Sequence, residues 1–183
     1  MRLSPGVRWP HGGPSALLGR LPSVPPSCAS FSLSRDTGRR MPEESTTPDL
    51  IELTRRMFDA ANRRDLGLTQ SFYASDAVWE TVSLGTTFEG VAAIRGFFED
   101  WLGAYEEYEM EPEEIVDLGN GVVFVAVRLT ARPIGSAGSA LVRRRPLVFV
   151  WVEGMVARVT AYADSLDEGR AAAERLAQER ADG

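Results

Sequence analysis

The sequence has no lysine, one histidine (His11) and one cysteine (Cys28). Both single residues lie within the first 40 positions, so residues 41–183 contain neither type. A cysteine nucleophile, a Ser-His-Asp triad and a histidine-ligated metal are therefore excluded from residues 41–183, unless the first 40 residues fold back onto them. A single cysteine also excludes an internal disulfide, which fits the reducing cytoplasm that we expect for this chain.

Long hydrophobic runs are missing too. None approaches the roughly 20 apolar residues of a membrane-spanning helix, so we expect no membrane partner. Charge is unevenly distributed within the net charge of −6: residues 1–40 hold six arginines and one aspartate, and residues 41–183 hold 14 arginines against 25 acidic residues. An acidic domain repels phosphate backbones, so we expect no nucleic-acid partner.

The beginning of the chain differs in composition from the remainder. Residues 1–40 contain six prolines, five glycines and seven serines, a composition typical of disorder. We interpret residues 1–46 as a disordered leader and residues 47–183 as one folded domain. The leader lacks the apolar core of a secretory signal, and Pro22, Pro25 and Pro26 interrupt the amphipathic helix of a transit peptide. We therefore expect translation to start at Met41. A genuine flexible leader is the alternative.

The stretch from Phe88 to Tyr105 predicts the helix around which the domain is organised. Its apolar residues recur at helical spacing and form one broad stripe. Gly90 is expected to begin this helix from a turn. The members of the stripe are Ile94, Phe97, Phe98, Trp101, Leu102 and Tyr105.

The remaining pattern predicts two helices and a strand before this helix, then a meander of long antiparallel strands and a final helix. That order is typical of an α+β fold. The other predicted helices begin near Thr47-Pro48-Asp49, at Leu66 and after Ser165, and the long strands cover Ala77–Val82, Val122–Arg132, Leu141–Val152 and Met155–Ala163.

Four motifs occur in a characteristic order: FYxxDAVWE, FEGxxAIRxFF, DxGNGVV, and VEGMVARV followed by Tyr-Ala-Asp. They cover Phe72–Glu80, Phe88–Phe98, Asp117–Val123 and Val152–Asp164. The chain resembles the SnoaL-like branch of the NTF2-like superfamily in these motifs. The resemblance implies a cone-shaped, curved antiparallel sheet wrapped by N-terminal helices, with a C-terminal helix, and a homodimer through the sheet. Members include isomerases, polyketide cyclases and non-catalytic binding domains, so the fold alone does not give the function.

The resemblance also allows site residues to be compared one at a time. Where the ketosteroid-isomerase branch has its general base, its oxyanion tyrosine and its protonated aspartate, this chain has Thr81, Met57 and Val148. These side chains cannot abstract a proton and stabilise an enolate, so that mechanism is not expected. Polyketide cyclases resemble the chain better at the end of the last strand, where Asp164 fits the acid/base position. Capping of the following helix beside Ser165 is the alternative role.

Strand alternation places Tyr162 on the same face as Asp164, where its phenol can assist, although a buried tyrosine is also ordinary. Alternation also puts Trp79 and Thr81 on one face, and the resemblance implies that it is the inner face, where they either line a pocket or pack in a core. Arg128 binds an anionic ligand or forms a strand-face salt bridge. The arginines at 143–145 and the acidic run 106–114 are interpreted as solvated. The predicted ligand-pocket residues are Trp79, Thr81, Phe98, Trp101, Arg128 and Val148.

We therefore hypothesise a pocket protein that acts by acid/base chemistry on a small hydrophobic metabolite, as a cyclase, isomerase or hydrolase does. No metal or cofactor is expected. The alternative is a non-catalytic ligand-binding or dimerisation module with the same fold.

Overall fold

The computed structural model describes residues 49–163 and 165–183. The predicted leader of residues 1–46, with Met41, lies outside the described residues. In chain order the elements are α1 (Leu50–Asn62), α2 (Leu66–Gln70), β1 (Tyr73–Thr81), a 3₁₀ turn (Val82–Leu84), β2 (Thr86–Glu89), α3 (Val91–Gly103), β3 (Tyr105–Asp117), β4 (Val122–Pro133), β5 (Leu141–Val152), β6 (Met155–Ala161) and α4 (Leu166–Asp182).

The strands form one six-stranded sheet in the order β2-β1-β6-β5-β4-β3. The α+β class is confirmed, with one correction to the antiparallel expectation: β1 pairs with β6 in parallel, and the other neighbours are antiparallel. The long intervening chain between β1 and β6 permits this direction, whereas a tight hairpin does not. Register shifts in the β1–β6, β3–β4 and β5–β6 pairs are consistent with the curvature of the sheet, because an extra residue bends a strand.

Each face of the sheet carries its own apolar layer. The inner face packs against α1 and α3, and the outer face packs against α4. Strand β4 contributes to both layers: Val123 and Val125 join the inner cluster, while Phe124 and Ala126 join the outer cluster beneath Ala173 of α4. Coverage on both sides explains why β4 begins as an unbroken apolar run.

The helix starts follow from local capping. The Asp49 carboxylate accepts hydrogen bonds from the backbone N–H groups of Ile51 and Glu52, so Asp49 caps α1, within the predicted start. At the other end of the domain the Ser165 hydroxyl accepts from the Glu168 N–H, as predicted for α4. No helix in the described ranges is long and apolar enough to cross a membrane.

The organising helix is shorter than the stripe that predicted it. Gly90 begins α3 at φ +80°, as expected, and the helix ends at Gly103. Phe88 belongs to β2 and Tyr105 begins β3, because both flanking segments pair with neighbouring strands. Strand β2 was missed, since its four residues are too few to show a period.

Candidate functional site

A cavity of about 110 Å³ lies between α3, the 3₁₀ turn and the inner face of the sheet, and it is open to solvent on one side. We call it the main cavity. Five strands, β1 and β3 to β6, contribute lining side chains, and most of these are apolar. Leu147 and Ala161 form part of its floor. The curvature of the sheet thus leaves space that α3 does not fill.

Aromatic rings form one wall of the main cavity. Trp79 of β1 meets Phe98 of α3 edge-on, with ring centroids 4.9 Å apart. Phe97 lies 6.2 Å from Trp79 and 5.8 Å from Trp101. The Trp79 indole N–H donates to the Thr81 hydroxyl at 3.3 Å, which fixes the ring orientation. The wall is therefore a continuous apolar surface of rings that meet at tilted and edge-on angles.

Polar groups of the main cavity are few. They come from Thr81, Ser83, Tyr108 and Arg145. Burial raises the pKa of Tyr108 to about 12, while the Trp101 indole and the positive charge of Arg145 act in the opposite direction. Tyr108 therefore stays protonated at neutral pH and is a hydrogen-bond donor there, not a base.

A second, inner cavity of about 20 Å³ lies behind the aromatic wall. It shares Trp79, Phe98, Met110 and Leu147 with the main cavity and reaches Tyr73, whose pKa is raised by burial. A space of this size holds about one water molecule. The inner cavity is thus too small to hold a ligand by itself.

The structure brings four predicted pocket residues together: Trp79, Thr81, Phe98 and Trp101 all line the main cavity. Strand alternation places the first two on the inner face, and helical spacing places the other two opposite them. Glu80 points to the outer face, where its carboxylate lies 3.2 Å from the Arg158 guanidinium.

Two predicted pocket residues lie elsewhere. Val148 packs in the outer cluster beneath α4, and its neighbour Leu147 faces the main cavity. Arg128 also points outward, where its guanidinium lies 3.4 Å from the Glu111 carboxylate and is half exposed. The prediction that Val148 and Arg128 line the pocket is therefore wrong, because both have the opposite strand parity to the lining residues.

Of the two predicted catalytic residues, the structure describes Tyr162. Tyr162 packs against the outer cluster and is not among the lining residues of the main cavity. Burial, reinforced by the Glu80 charge, raises the pKa of the Tyr162 phenol. Asp164 lies outside the described residues, so its acid/base role stays a prediction.

Sequence reasoning missed three polar lining residues, Ser83, Tyr108 and Arg145. Tyr108 alternates with glutamates along β3, so the signal for an inward side chain was present within the acidic run. Arg145 was interpreted as solvated with Arg143 and Arg144, although alternation turns only every second member of such a run outward. Among the described residues no group of three or more His, Cys, Asp or Glu side chains is placed to hold a metal.

Comparison with known proteins gives one family. Residues 54–173 match the model of the family described as SnoaL-like domain. No protein with a curated description matches the chain in sequence.

Several solved structures share the fold. A hypothetical protein with a ketosteroid isomerase-like fold from Catenulispora acidiphila, in complex with trimethylamine, aligns with a TM-score of 0.57 and 12% identity, covering 62% of this chain and 85% of its own. A putative SnoaL-like polyketide cyclase from Shewanella putrefaciens aligns at 0.54 and 16%, covering 70% and 98%. TerC, co-crystallised with polyporic acid, aligns at 0.55 and 17%, covering 68% and 96%. At these identities the likeness shows the fold alone.

Proposed function

The chain belongs to the SnoaL-like domain family, and we propose that its main cavity binds a small, largely apolar molecule. The single observation that carries this proposal is the lining of the cavity, in which an aromatic wall faces aliphatic strand residues and polar groups are few. Sites of this composition, concave and mostly apolar with a few polar groups for orientation, are typical of small-molecule binding.

The volume bounds the size of the ligand. A cavity of about 150 Å³ lined by aliphatic and aromatic side chains binds benzene. The main cavity, at about 110 Å³, is somewhat smaller and encloses at most about one ring, so that any substituents extend towards the solvent. A fused polycyclic molecule exceeds this volume and would extend through the open side. We therefore favour a ligand whose enclosed part is a single ring.

Two relatives support the choice of a small organic ligand. The Catenulispora protein is in complex with trimethylamine, and TerC was crystallised with polyporic acid. The fold has therefore been crystallised with small organic molecules of different chemistry. For this chain we infer only that its ligand is a small organic molecule, and we do not infer the identity of either ligand.

Binding is favoured over catalysis because the described lining side chains supply no general base at neutral pH. Thr81 and Ser83 are neutral hydroxyls, Tyr108 is protonated, and Arg145 is a cation. Acid/base catalysis would therefore rest on Asp164. Loss of turnover in Asp164→Asn, with ligand affinity retained, would support the enzyme reading.

The test of binding is a fluorescence titration with one-ring compounds, because Trp79 and Trp101 both line the cavity. Leu129→Trp adds a ring inside the cavity and should abolish the saturable signal. Thr130→Trp is the matched control, since Thr130 is the next residue of β4 and has the outward parity. The proposal fails if the two variants bind equally well, or if no one-ring compound binds the unmodified protein.

A homodimer through the sheet, which the family resemblance implies, stays a proposal. Part of the outer face is already covered by α4, and other parts carry cross-strand ion pairs such as Arg144–Glu113 at 2.6 Å. A dimer there would have a polar interface.

A further inference from the structure

We infer that the main cavity selects ligands with one acidic oxygen group, such as a carboxylate, phenolate or enolate, and that Arg145 recognises that group. The inference rests on the proposed function, because it assigns a ligand class to the same cavity. It adds a specificity-determining residue, Arg145, and a second donor, Tyr108.

The first argument concerns charge. Among the described lining residues, Arg145 is the one with a formal charge, and the surrounding surface is mostly apolar. In such a setting the attraction between a cation and an anion is far stronger than in water. A guanidinium has five N–H donors in a planar fork that matches a carboxylate. Arg145 already has contacts within the protein, so a ligand oxygen would share the guanidinium with them.

The second argument concerns placement. Arg145 lies opposite Val127 on the antiparallel neighbour β4, and both side chains line the cavity. Its neighbours in sequence are turned to the outer face: Arg144 pairs with Glu113 at 2.6 Å, and Pro146 is buried against Gly169 of α4. The strand parity of Arg145 is thus fixed by outward contacts on both sides. The side chain of Arg145 therefore extends from a paired strand, not from a loop.

The third argument concerns a second donor. Tyr108 lines the same cavity from β3; burial raises its pKa, and the positive charge of Arg145 is close enough to act in the opposite direction. Burial has the larger effect and keeps the phenol protonated. A hydroxyl and a guanidinium directed at one cavity give two-point recognition of an oxyanion. A neutral ligand of the same shape gains less from this pair.

The test compares acids with their neutral counterparts. Benzoate and phenylacetate, with benzamide and phenylacetamide as uncharged partners, are titrated by calorimetry or fluorescence. We expect Arg145→Met to weaken binding of the acids by roughly 10- to 100-fold, the loss for a hydrogen-bonded charged group. Binding of the amides should change by about twofold or less. Tyr108→Phe should weaken the acids by a smaller factor.

Arg144→Met is the matched control, because it removes an equal charge from the adjacent residue on the outer face. It should bind both acids and amides as the unmodified protein does. If Arg145→Met fails to fold, Arg145→Gln replaces it, and retained amide binding reports an intact cavity in either variant.

The outcomes separate the two proposals. Equal affinity for acids and amides, or equal loss of acid binding in the Arg144 and Arg145 variants, overturns the role of Arg145 and leaves the proposed function standing. Saturable binding of amides but not of acids also overturns it. Failure of every one-ring compound to bind any variant overturns the proposed function itself.

Discussion

Filling the main cavity should stabilise the protein while removing the proposed ligand binding, and Ala161→Ile is the substitution that shows this most clearly. Ala161 lies on β6, is 7% exposed and lines the cavity. Cavity volume costs about 24 cal/mol per Å³, so a space of about 110 Å³ corresponds to roughly 2.6 kcal/mol. Isoleucine adds three carbon atoms, worth about 0.8 kcal/mol each when buried, or roughly 2.4 kcal/mol as an upper limit. Because one side is open to solvent, we expect a gain of about 1 to 2 kcal/mol.

The matched control is Ala126→Ile on β4. Ala126 is 2% exposed but belongs to the outer cluster, beneath the fully buried Ala173 of α4. The same three carbon atoms have no cavity to enter there and must displace the helix. Overpacking of this kind costs about 1 to 3 kcal/mol, so the two substitutions should change stability in opposite directions.

Urea denaturation measures both effects as changes in the free energy of unfolding, with the slope m checked for constancy. Saturable binding of one-ring compounds should disappear in the Ala161 variant. If Ala161→Ile loses as much stability as Ala126→Ile, the space beside Ala161 is not available in solution, and the reasoning from the cavity is refuted.

Two further predictions test the outer face and the polar end of the cavity. Gly169→Ala should lower stability by about 1 to 3 kcal/mol, because the new Cβ would lie 2.7 Å from the Pro146 Cγ and must push α4 from the sheet. In the control Gly96→Ala in α3, the new Cβ meets nothing within 4 Å, and stability should rise by up to about 1 kcal/mol through helix propensity. Thermal unfolding compares the two variants, and equal effects would contradict the packing of α4. In alkaline titration followed by phenolate absorbance, Tyr108 should ionise near pH 12, about two units above free tyrosine. Because Tyr108 ionises at a lower pH in the unfolded chain, the stability it contributes is complete below about pH 10 and is lost as the pH rises towards 12. Tyr108→Phe should therefore lose less stability than the unmodified protein over this pH range. An unchanged titration curve in the variant would contradict the burial of this phenol.

The sequence predicted the site best where a strand has one polar and one apolar face. On β1, Trp79 and Thr81 alternate with Glu80, and the structure places the pair inside and the glutamate outside. Helical spacing placed Phe98 and Trp101 on the opposing wall in the same way. In both elements the period of the side chains is visible because only one face is buried.

The same reasoning failed on β5, where both faces are covered. Leu147 and Val148 are equally apolar, because one faces the cavity and the other packs beneath α4. Alternation then does not show which of the two residues faces the cavity. The family resemblance pointed to Val148, one residue beyond Leu147. Arg145 was missed for a related reason: a run of three arginines looks uniformly solvated, although its members point to different faces.

The acidic run on β3 shows a third limit. Alternate positions of this strand hold glutamates, and its inward residues include Tyr108 and Met110. The alternation was visible in the sequence, but whether the segment pairs with the sheet depends on β4, which lies beyond it in the chain. Local pattern cannot determine such a long-range pairing.

The most direct test of the central claim is to locate a bound ring in the protein. Crystals soaked with 4-bromobenzoate would show the bromine by its anomalous scattering. The account predicts one ordered bromine in the main cavity, beside Trp79 and Phe98, with the carboxylate towards Arg145. Bromine ordered only on the outer face or at the surface, with the main cavity closed by its own side chains, would contradict it.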